Sequence, residues 1–302
     1  MFKCPQIDTF FITYDEPKKD EFWEKVKQAL PHAKRIDGVK GFDTAYKECA
    51  RQATSYRFFT IDGDNKILPQ FSSLKLSWLS YWSRQVFSWS AINSINGLSY
   101  GNGGVKCWPK NLVLKMKSHE AAEETKDLTD FCNSLNYYQK TEPLSVSVIN
   151  STPHQAFRAG FREGVKMCLN RGLSFKSSGN DNPREWLTQL SIANIERLKV
   201  WCSVGSDVPN GLWAIYGARL GALMLLRKEV DETALVSHDW INALWEKMKA
   251  YDLLEQLPRL EQELSRDFLL SVVLMSPADS AFFKSVYVNS PRTGTMFSPC
   301  FD

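Results

Sequence analysis

Asp62, Gly63 and Asp64 set two carboxylates one residue apart directly after Arg57-Phe58-Phe59-Thr60-Ile61, a run too apolar for an exposed edge. At the end of a buried strand this D-x-D spacing can offer oxygen ligands to Mg2+ or Mn2+ bridging a diphosphate, where the cation acts as a Lewis acid and orients the leaving group. The competing reading is an acidic surface turn, because Asp-Gly is a favoured turn dipeptide.

Three further groups can carry chemistry. The glycine-rich run Tyr100-Gly101-Asn102-Gly103-Gly104-Val105-Lys106 lets backbone approach a ligand, and Asn93, Asn96 and Asn102 supply neutral hydrogen-bonding groups for sugar hydroxyls or base edges. A plain hairpin fits the same residues. On a helix starting near His154, Phe157, Phe161 and Val165 form an apolar stripe beside Arg158, Arg162 and Lys166 at four-residue spacing. That basic row suits phosphates of a small donor or of a nucleic acid, or is a solvated helix face. Glu163 either pairs with those cations or takes a proton from an acceptor hydroxyl.

The elements that must position these residues follow from periodicity. Ile7 to Thr13 reads as a strand closing on the polar loop Tyr14-Asp15-Glu16-Pro17, and Phe22, Val26 and Leu30 recur along a helix stopped by Pro31. Arg35 to Lys40 reads as extended, Phe42 to Ala53 as helical, and Arg57 to Asp62 as a strand. The alternation predicts an α/β domain with a mostly parallel, Rossmann-like sheet, whose ligand crevice lies beyond the carboxyl ends of the strands. Trp78 to Pro109 reads as strand and loop, and Leu144 to Asn150 as extended. Helical spacing then dominates, at His154 to Leu169, Arg184 to Trp201, Gly211 to Val230, Asp239 to Tyr251 and Pro258 to Phe268, the last opening on its proline. The expected division is 1–152 as the ligand-binding α/β domain and 153–302 as a mainly helical region on the acceptor side.

Bulk properties narrow the classes. The 302 residues, 43% hydrophobic and 24% charged, are ordinary for a folded globular chain and give no reason to expect a fibrous repeat or long disorder. Seven scattered cysteines lack any C-x-x-C pair, so reduced thiols and a cytoplasmic setting are expected. No segment reaches the roughly 20 apolar residues of a membrane span, and no basic leader precedes Ile7, so neither export nor a membrane partner is expected. A net charge of +3 neither demands nor excludes a polyanion.

Phe11-Ile12-Thr13-Tyr14-Asp15-Glu16-Pro17, then Arg35-Ile36-Asp37-Gly38-Val39-Lys40-Gly41, then Phe59-Thr60-Ile61-Asp62-Gly63-Asp64 resemble the nucleotide-sugar half of glycosyltransferases of the A-type fold. With Tyr100 to Lys106, Ser151-Thr152-Pro153 and Phe161-Arg162-Glu163 added, the chain looks more narrowly like tailed-phage glycosyltransferases that act on hydroxymethylcytosine in DNA, arabinosyltransferases among them. The likeness spans roughly residues 7 to 220. It implies donor contacts from Thr13, Tyr14, Glu16, Asp37, Lys40, Asp62, Gly103 and Gly104, with Asp64 as the principal metal ligand. Asp62 and His154 complete the implied metal set, and Mn2+ or Mg2+ is the implied cofactor. Acceptor or phosphate contacts would come from Trp89, Asn93, Asn102, Arg158 and Arg162, with Asp64 and Glu163 as the catalytic pair. The implied reaction moves a sugar from a UDP-sugar, UDP-arabinose or UDP-glucose, to 5-hydroxymethylcytosine in DNA, in the host cytoplasm if the chain is phage-encoded. An acidic pair before the acceptor helix, common in inverting members, is not evident. Transfer to a surface glycan, or DNA binding without catalysis, are the readings that compete with it.

Overall fold

Residues 2–3, 7–100, 103–116, 136–176, 178–179 and 182–288 are described by the computed structural model. The chain divides into two compact units, one holding Met1–Ser94 and Ser99–Val148, the other Ile95–Leu98 and Ile149–Asn289. Among the described residues no helix is long and apolar enough to cross a membrane.

The first unit opens with β1 (Phe2–Lys3), then alternates β2 (Asp8–Thr13), α1 (Lys19–Ala29), β3 (Lys34–Asp37), α2 (Phe42–Gln52) and β4 (Arg57–Asp62). Strands β3 and β4 flank β2 and run parallel to it, so their carboxyl ends lie side by side, Asp37 opposite Thr13 and Asp62 opposite Ile12. The chain continues through β5 (Asn65–Ile67), β6 (Lys75–Leu76), α3 (Trp78–Trp82), β7 (Val86–Asn93), β8 (Val105–Pro109), α4 (Lys110–Lys115) and β9 (Tyr137–Ser147). Seven strands form one sheet in the order β3-β2-β4-β8-β7-β9-β5, and β1 pairs with β6 apart from it.

The sheet is mixed, which corrects the expectation of a mostly parallel one. Parallel ladders join β2 to β3, β2 to β4 and β7 to β9, whereas β8 runs antiparallel to both β4 and β7, and β5 antiparallel to β9. The cause is connectivity: β8 is the next strand after β7 and pairs beside it, between β7 and β4, without, among the described residues, the helical crossover that a parallel neighbour requires.

Alternation along β4 divides the core. Phe59 and Ile61 point to a cluster with Phe11, Phe22, Val26, Phe71, Phe87 and Trp89. Phe58 points the other way, to Phe10, Tyr46, Cys49, Val86, Trp108 and Val113. The first residue of β4 is a fully buried Arg57 whose charge is met by carbonyl groups. Its guanidinium lies 4.5 Å from the Phe87 ring and donates to the carbonyls of Ser80 (3.1 Å), Ser83 (2.7 Å), Cys107 (3.0 Å) and Gln85. This ties the chain after α3 to the start of β4.

The second unit is helical: α5 (Pro153–Met167), α6 (Pro183–Gln189), α7 (Ile192–Trp201), α8 (Gly211–Leu226), α9 (His238–Met248), α10 (Leu253–Phe268) and α11 (Pro277–Val288). Its axis is the pair α5 and α8, whose backbones touch. A Cβ on Gly160 would sit 1.9 Å from the Ala214 carbonyl oxygen and one on Gly164 2.2 Å from that of Ala218. Gly217 and Gly221 answer from α8, at 2.3 Å and 2.4 Å from the carbonyl oxygens of Phe157 and Phe161. Two boundaries differ from the periodic reading. Arg184 to Trp201 is broken where Ser191 caps α7, accepting from the Asn194 amide. Pro258 lies inside α10, which starts earlier because Asp252 caps it by accepting from Leu254 N. Residues Pro277–Val288, unassigned by spacing, are helical.

Replacing Arg57 by Met should lower unfolding free energy by about 3 kcal/mol or more, since the carbonyls it bridges lose their donor in a buried place. Urea unfolding of the purified variant checks this; a loss within error of zero would show that the guanidinium network holds nothing.

Candidate functional site

The polar groups of the first unit converge where β2, β3 and β4 end. Asp62 is the last residue of β4 and shares the face of Phe58 and Thr60, so it is directed toward α2, whose Tyr46 hydroxyl donates to its Oδ1 at 3.1 Å. Lys106, on the neighbouring β8 and only 6% exposed, holds its Nζ 3.8 Å from Asp62 Oδ2 and 3.0 Å from the Gly103 carbonyl. The backbone then turns at Gly63. A Cβ there would lie 2.7 Å from Glu16 Oε2 and 2.9 Å from the Ile12 carbonyl oxygen, so the Glu16 carboxylate lies directly against the turn. Glu16 is fixed there by accepting from the Tyr14 amide at 2.8 Å.

Asp64 is the half-buried member of the group. Its Oδ1 accepts from Asn65 Nδ2 at 2.6 Å, and Asn65 is itself held by the Ser145 hydroxyl at 2.7 Å. Loss of water, then the charge of Asp62, with Glu16 adding to it, push the Asp64 carboxyl up to about 7. Three acidic side chains therefore share one small region, and burial with the two neighbouring charges disfavours ionisation of Asp64.

Beside them lies a second network at the ends of β2 and β3. Asp37 Oδ1 accepts from Thr13 Oγ1 (2.7 Å) and Lys19 Nζ (2.8 Å), and Arg35 donates to Thr13 Oγ1 at 3.0 Å. Lys19, Thr13 and the Arg35 charge hold the Asp37 carboxyl below its ordinary range. Its side chain stays 46% exposed, Tyr14 is 49% exposed and Lys40 is exposed, so a ligand can reach all three.

Several expected residues take other places. Trp89, 2% exposed, packs in the core against Phe59 and Phe87, which removes it from any acceptor surface. Gly103 and Gly104 are glycines because protein, not ligand, comes close: a Cβ would meet the Trp89 carbonyl oxygen at 2.3 Å and the Asn65 amide nitrogen at 2.1 Å. The Gly104 carbonyl accepts from the Asp62 amide at 2.9 Å and so helps to set the acidic turn. Asn93 ends β7 opposite Ser147. Asn102 lies outside the described residues.

In the second unit, His154, Arg158 and Arg162 form one row along α5. The His154 ring stacks on Trp245 with centroids 5.3 Å apart. Burial and the Arg158 charge lower its pKa, and burial likewise lowers that of Arg162. Glu163 lies 3.6 Å from Lys166.

Among the described residues no group of three or more His, Cys, Asp or Glu side chains is arranged to hold a metal ion. The acidic turn nevertheless fits a small divalent cation of the kind that takes one or two carboxylates and completes its shell with substrate phosphates and water. The donor set there is the Asp62 and Asp64 carboxylates, with Glu16 against Gly63 between them. Lys19, Arg35, Tyr46, Asn65 and Lys106 join the site without having been singled out by spacing; their signal lay in sheet register, with Lys106 paired opposite Thr60.

No family model matches the chain, and no curated protein matches it. Three solved chains do. One is the crystal structure of HddC from Yersinia pseudotuberculosis, 12% identical, with 45% of this chain and 71% of that chain covered and a TM-score of 0.26, too slight to carry an argument.

The raised Asp64 value implies a pH-dependent stability. The unfolded chain releases this proton near 3.8 and the folded chain near 7, so the carboxyl costs nothing below the first value and progressively more up to the second. Asp64→Asn keeps an acceptor for Asn65 and removes the charge. In metal-free protein it should raise Tm by a few degrees at pH 8, roughly 1–2 kcal/mol after allowing for solvent access, and leave it unchanged at pH 4. Thermal melts at the two pH values check this; an equal or lower Tm at pH 8 would contradict the assigned strain.

Proposed function

We propose that this protein is a glycosyltransferase of the A-type fold that moves a sugar from a nucleoside diphosphate, UDP-arabinose or UDP-glucose, to 5-hydroxymethylcytosine in DNA with the help of Mn2+ or Mg2+. The observation that carries the donor half is the convergence of Glu16, Asp62 and Asp64 at the carboxyl ends of parallel strands, beside the exposed Asp37 and Tyr14. An acidic cluster offset only in part, by Lys106 beside Asp62, is costly to a fold, and a diphosphate-bound cation is a ligand that offsets the rest.

In this reading the half-exposed Asp37 and Tyr14 take the nucleoside, which suits their position at the ends of β2 and β3. Lys40 lies on the phosphate side. Asp64, with Asp62, would hold the cation, which when bound supplies Lewis acidity against the charge of the departing diphosphate. Tyr46 and Lys106 keep the Asp62 carboxylate oriented, and Gly63 keeps Glu16 close to the turn. On the acceptor side, Arg158 and Arg162 are assigned to phosphate oxygens and Glu163 to the hydroxyl proton. The attacking oxygen of the acceptor forms the new bond to the sugar carbon, and the bond to the diphosphate oxygen breaks.

The reaction is tested by incubating the protein with Mn2+, a panel of UDP-sugars and DNA containing 5-hydroxymethylcytosine, then analysing nucleosides by mass. A pentose or hexose adduct on the modified base, absent from unmodified DNA, is expected. Absence of adduct with every donor rejects the DNA acceptor. Asp64→Asn should lower transfer at least ~100-fold, as loss of a group that stabilises transition-state charge does, while the fold persists. An active, metal-independent variant would reject the central assignment.

A further inference from the structure

Among the described residues of the first unit, the two most exposed large apolar side chains, Leu79 and Trp78, lie at the opposite end of β4 from the acidic turn. Trp78 is 62% exposed, Leu79 83% and Trp82 47%, all on the short α3. Trp82 lies 4.8 Å from the ring of Tyr56, the residue before β4, and 5.7 Å from Trp78, so three rings form one stepped aromatic surface. It is held rigidly. Arg57 bonds the carbonyls of Ser80 and Ser83 at either side of this helix end, Ser77 caps its start, and the Tyr81 hydroxyl accepts from the Tyr56 amide at 3.3 Å. Along β4 the five steps from Arg57 to Asp62 span roughly 17 Å, so this surface stands well away from the donor groups.

The sequence that carries α3 is one-sided in charge, although Lys106 within it belongs to the acidic turn. From Asn65 to His119 the sequence contains no Asp or Glu, whereas Lys66, Lys75, Arg84, Lys106, Lys110, Lys115 and Lys117 give the segment +7. The whole chain carries +3, so the remainder is at −4. Lys75 and Arg84, three residues before Trp78 and two after Trp82, are exposed, as is Lys115 at the end of α4. Lys110, the first residue of α4, donates its amide to the Tyr56 carbonyl at 3.0 Å.

We propose that the Trp78, Trp82 and Tyr56 surface is a docking site for unstacked bases of single-stranded nucleic acid, with Lys75 and Arg84 meeting its phosphates. Trp78 and Trp82, flanked by Lys75 and Arg84 in a stretch of sequence without carboxylates, suit a flexible polyanion whose every base presents a flat apolar face; the Asp8 carboxylate near Tyr56 is held by Thr54 and Ser55. Leu79 adds an apolar edge able to enter between bases. A bilayer is the poorer match: α3 is only five residues long, and the patch offers a single aliphatic side chain for insertion. The site is an anchoring surface remote from the reacting groups, so it governs affinity for long strands and not the chemical step. It deepens the function proposed above and rests on its acceptor half.

The test compares the full-length protein with Trp78→Ala/Trp82→Ala and with Arg84→Glu by fluorescence anisotropy on a labelled 30-nucleotide single strand, over a salt series. In parallel, flotation with phosphatidylserine-containing vesicles, light scattering for mass, and UDP binding are measured. The aromatic double variant should bind the strand about tenfold or more weakly, and Arg84→Glu should bind more weakly with a shallower salt dependence, both with unchanged Tm and UDP affinity. Wild-type affinity in the double variant overturns the proposal. So does a wild-type protein that binds vesicles and not the strand, or one whose dimer the double variant dissociates. Strand binding lost in the double variant, with no sugar transfer by the wild type, would leave this surface standing and reject the transferase; transfer with unaltered strand affinity would do the reverse.

Discussion

Mutual repulsion among Glu16, Asp62 and Asp64 is the constraint to which this end of the first unit answers. Two of these carboxylates come from one turn of chain and the third is carried to them from the loop after β2, because Gly63 has no Cβ to keep it away. Each is restrained by its own donor: the Tyr14 amide for Glu16, the Tyr46 hydroxyl for Asp62, Asn65 for Asp64. Neutral donors hold the oxygens in place without cancelling the charge, and Lys106, 3.8 Å from Asp62, offsets part of it for one member alone. A scaffold selected for stability alone would replace one of the acids by an amide. Keeping all three is intelligible if something positive is to be bound.

The strand that delivers the acids illustrates how structure and site are linked. Arg57 at its start and Asp62 at its end are both polar residues on an otherwise apolar strand, yet their surroundings differ. Arg57 is surrounded by carbonyl oxygens that complete its donors, and a cation so satisfied is a structural bolt. Asp62 is 38% exposed at the side chain, with only part of its hydrogen-bonding capacity occupied by the partners described. One strand thus carries its anchoring charge inward at one end and its working charge outward at the other.

Much of this was legible in the sequence, and the failures have physical causes. The alternation of Phe22, Val26 and Leu30 with the flanking strands gives β2 through β4 nearly residue by residue, because each segment is short and its pattern local. The antiparallel β8 was not legible, since strand order depends on pairings fifty residues apart that no local period encodes. Gly103 and Gly104 illustrate a subtler loss. A glycine pair signals close approach, but not of what, and here the approaching groups are the β7 backbone and Asn65. Trp89 misled for a related reason: an aromatic residue within a polar, asparagine-rich stretch looks exposed until the sheet register buries it beside Phe59.

In the second unit the same reasoning runs with the sign reversed. Helix α5 is pressed against α8 so closely that four glycines are required, and this fixes which of its faces remain for polar groups. His154, Arg158 and Arg162 occupy such a face at successive turns, where burial and the neighbouring positive charge work against protonation of the first and the last. A solvated helix surface would let these side chains spread into water, and no shift of that kind would arise. Burial of His154 and Arg162 separates these two positions from a solvated helix face. With His154 held neutral near pH 7, Arg158 and Arg162 are the charges of this row, and Glu163 stands beside Arg162.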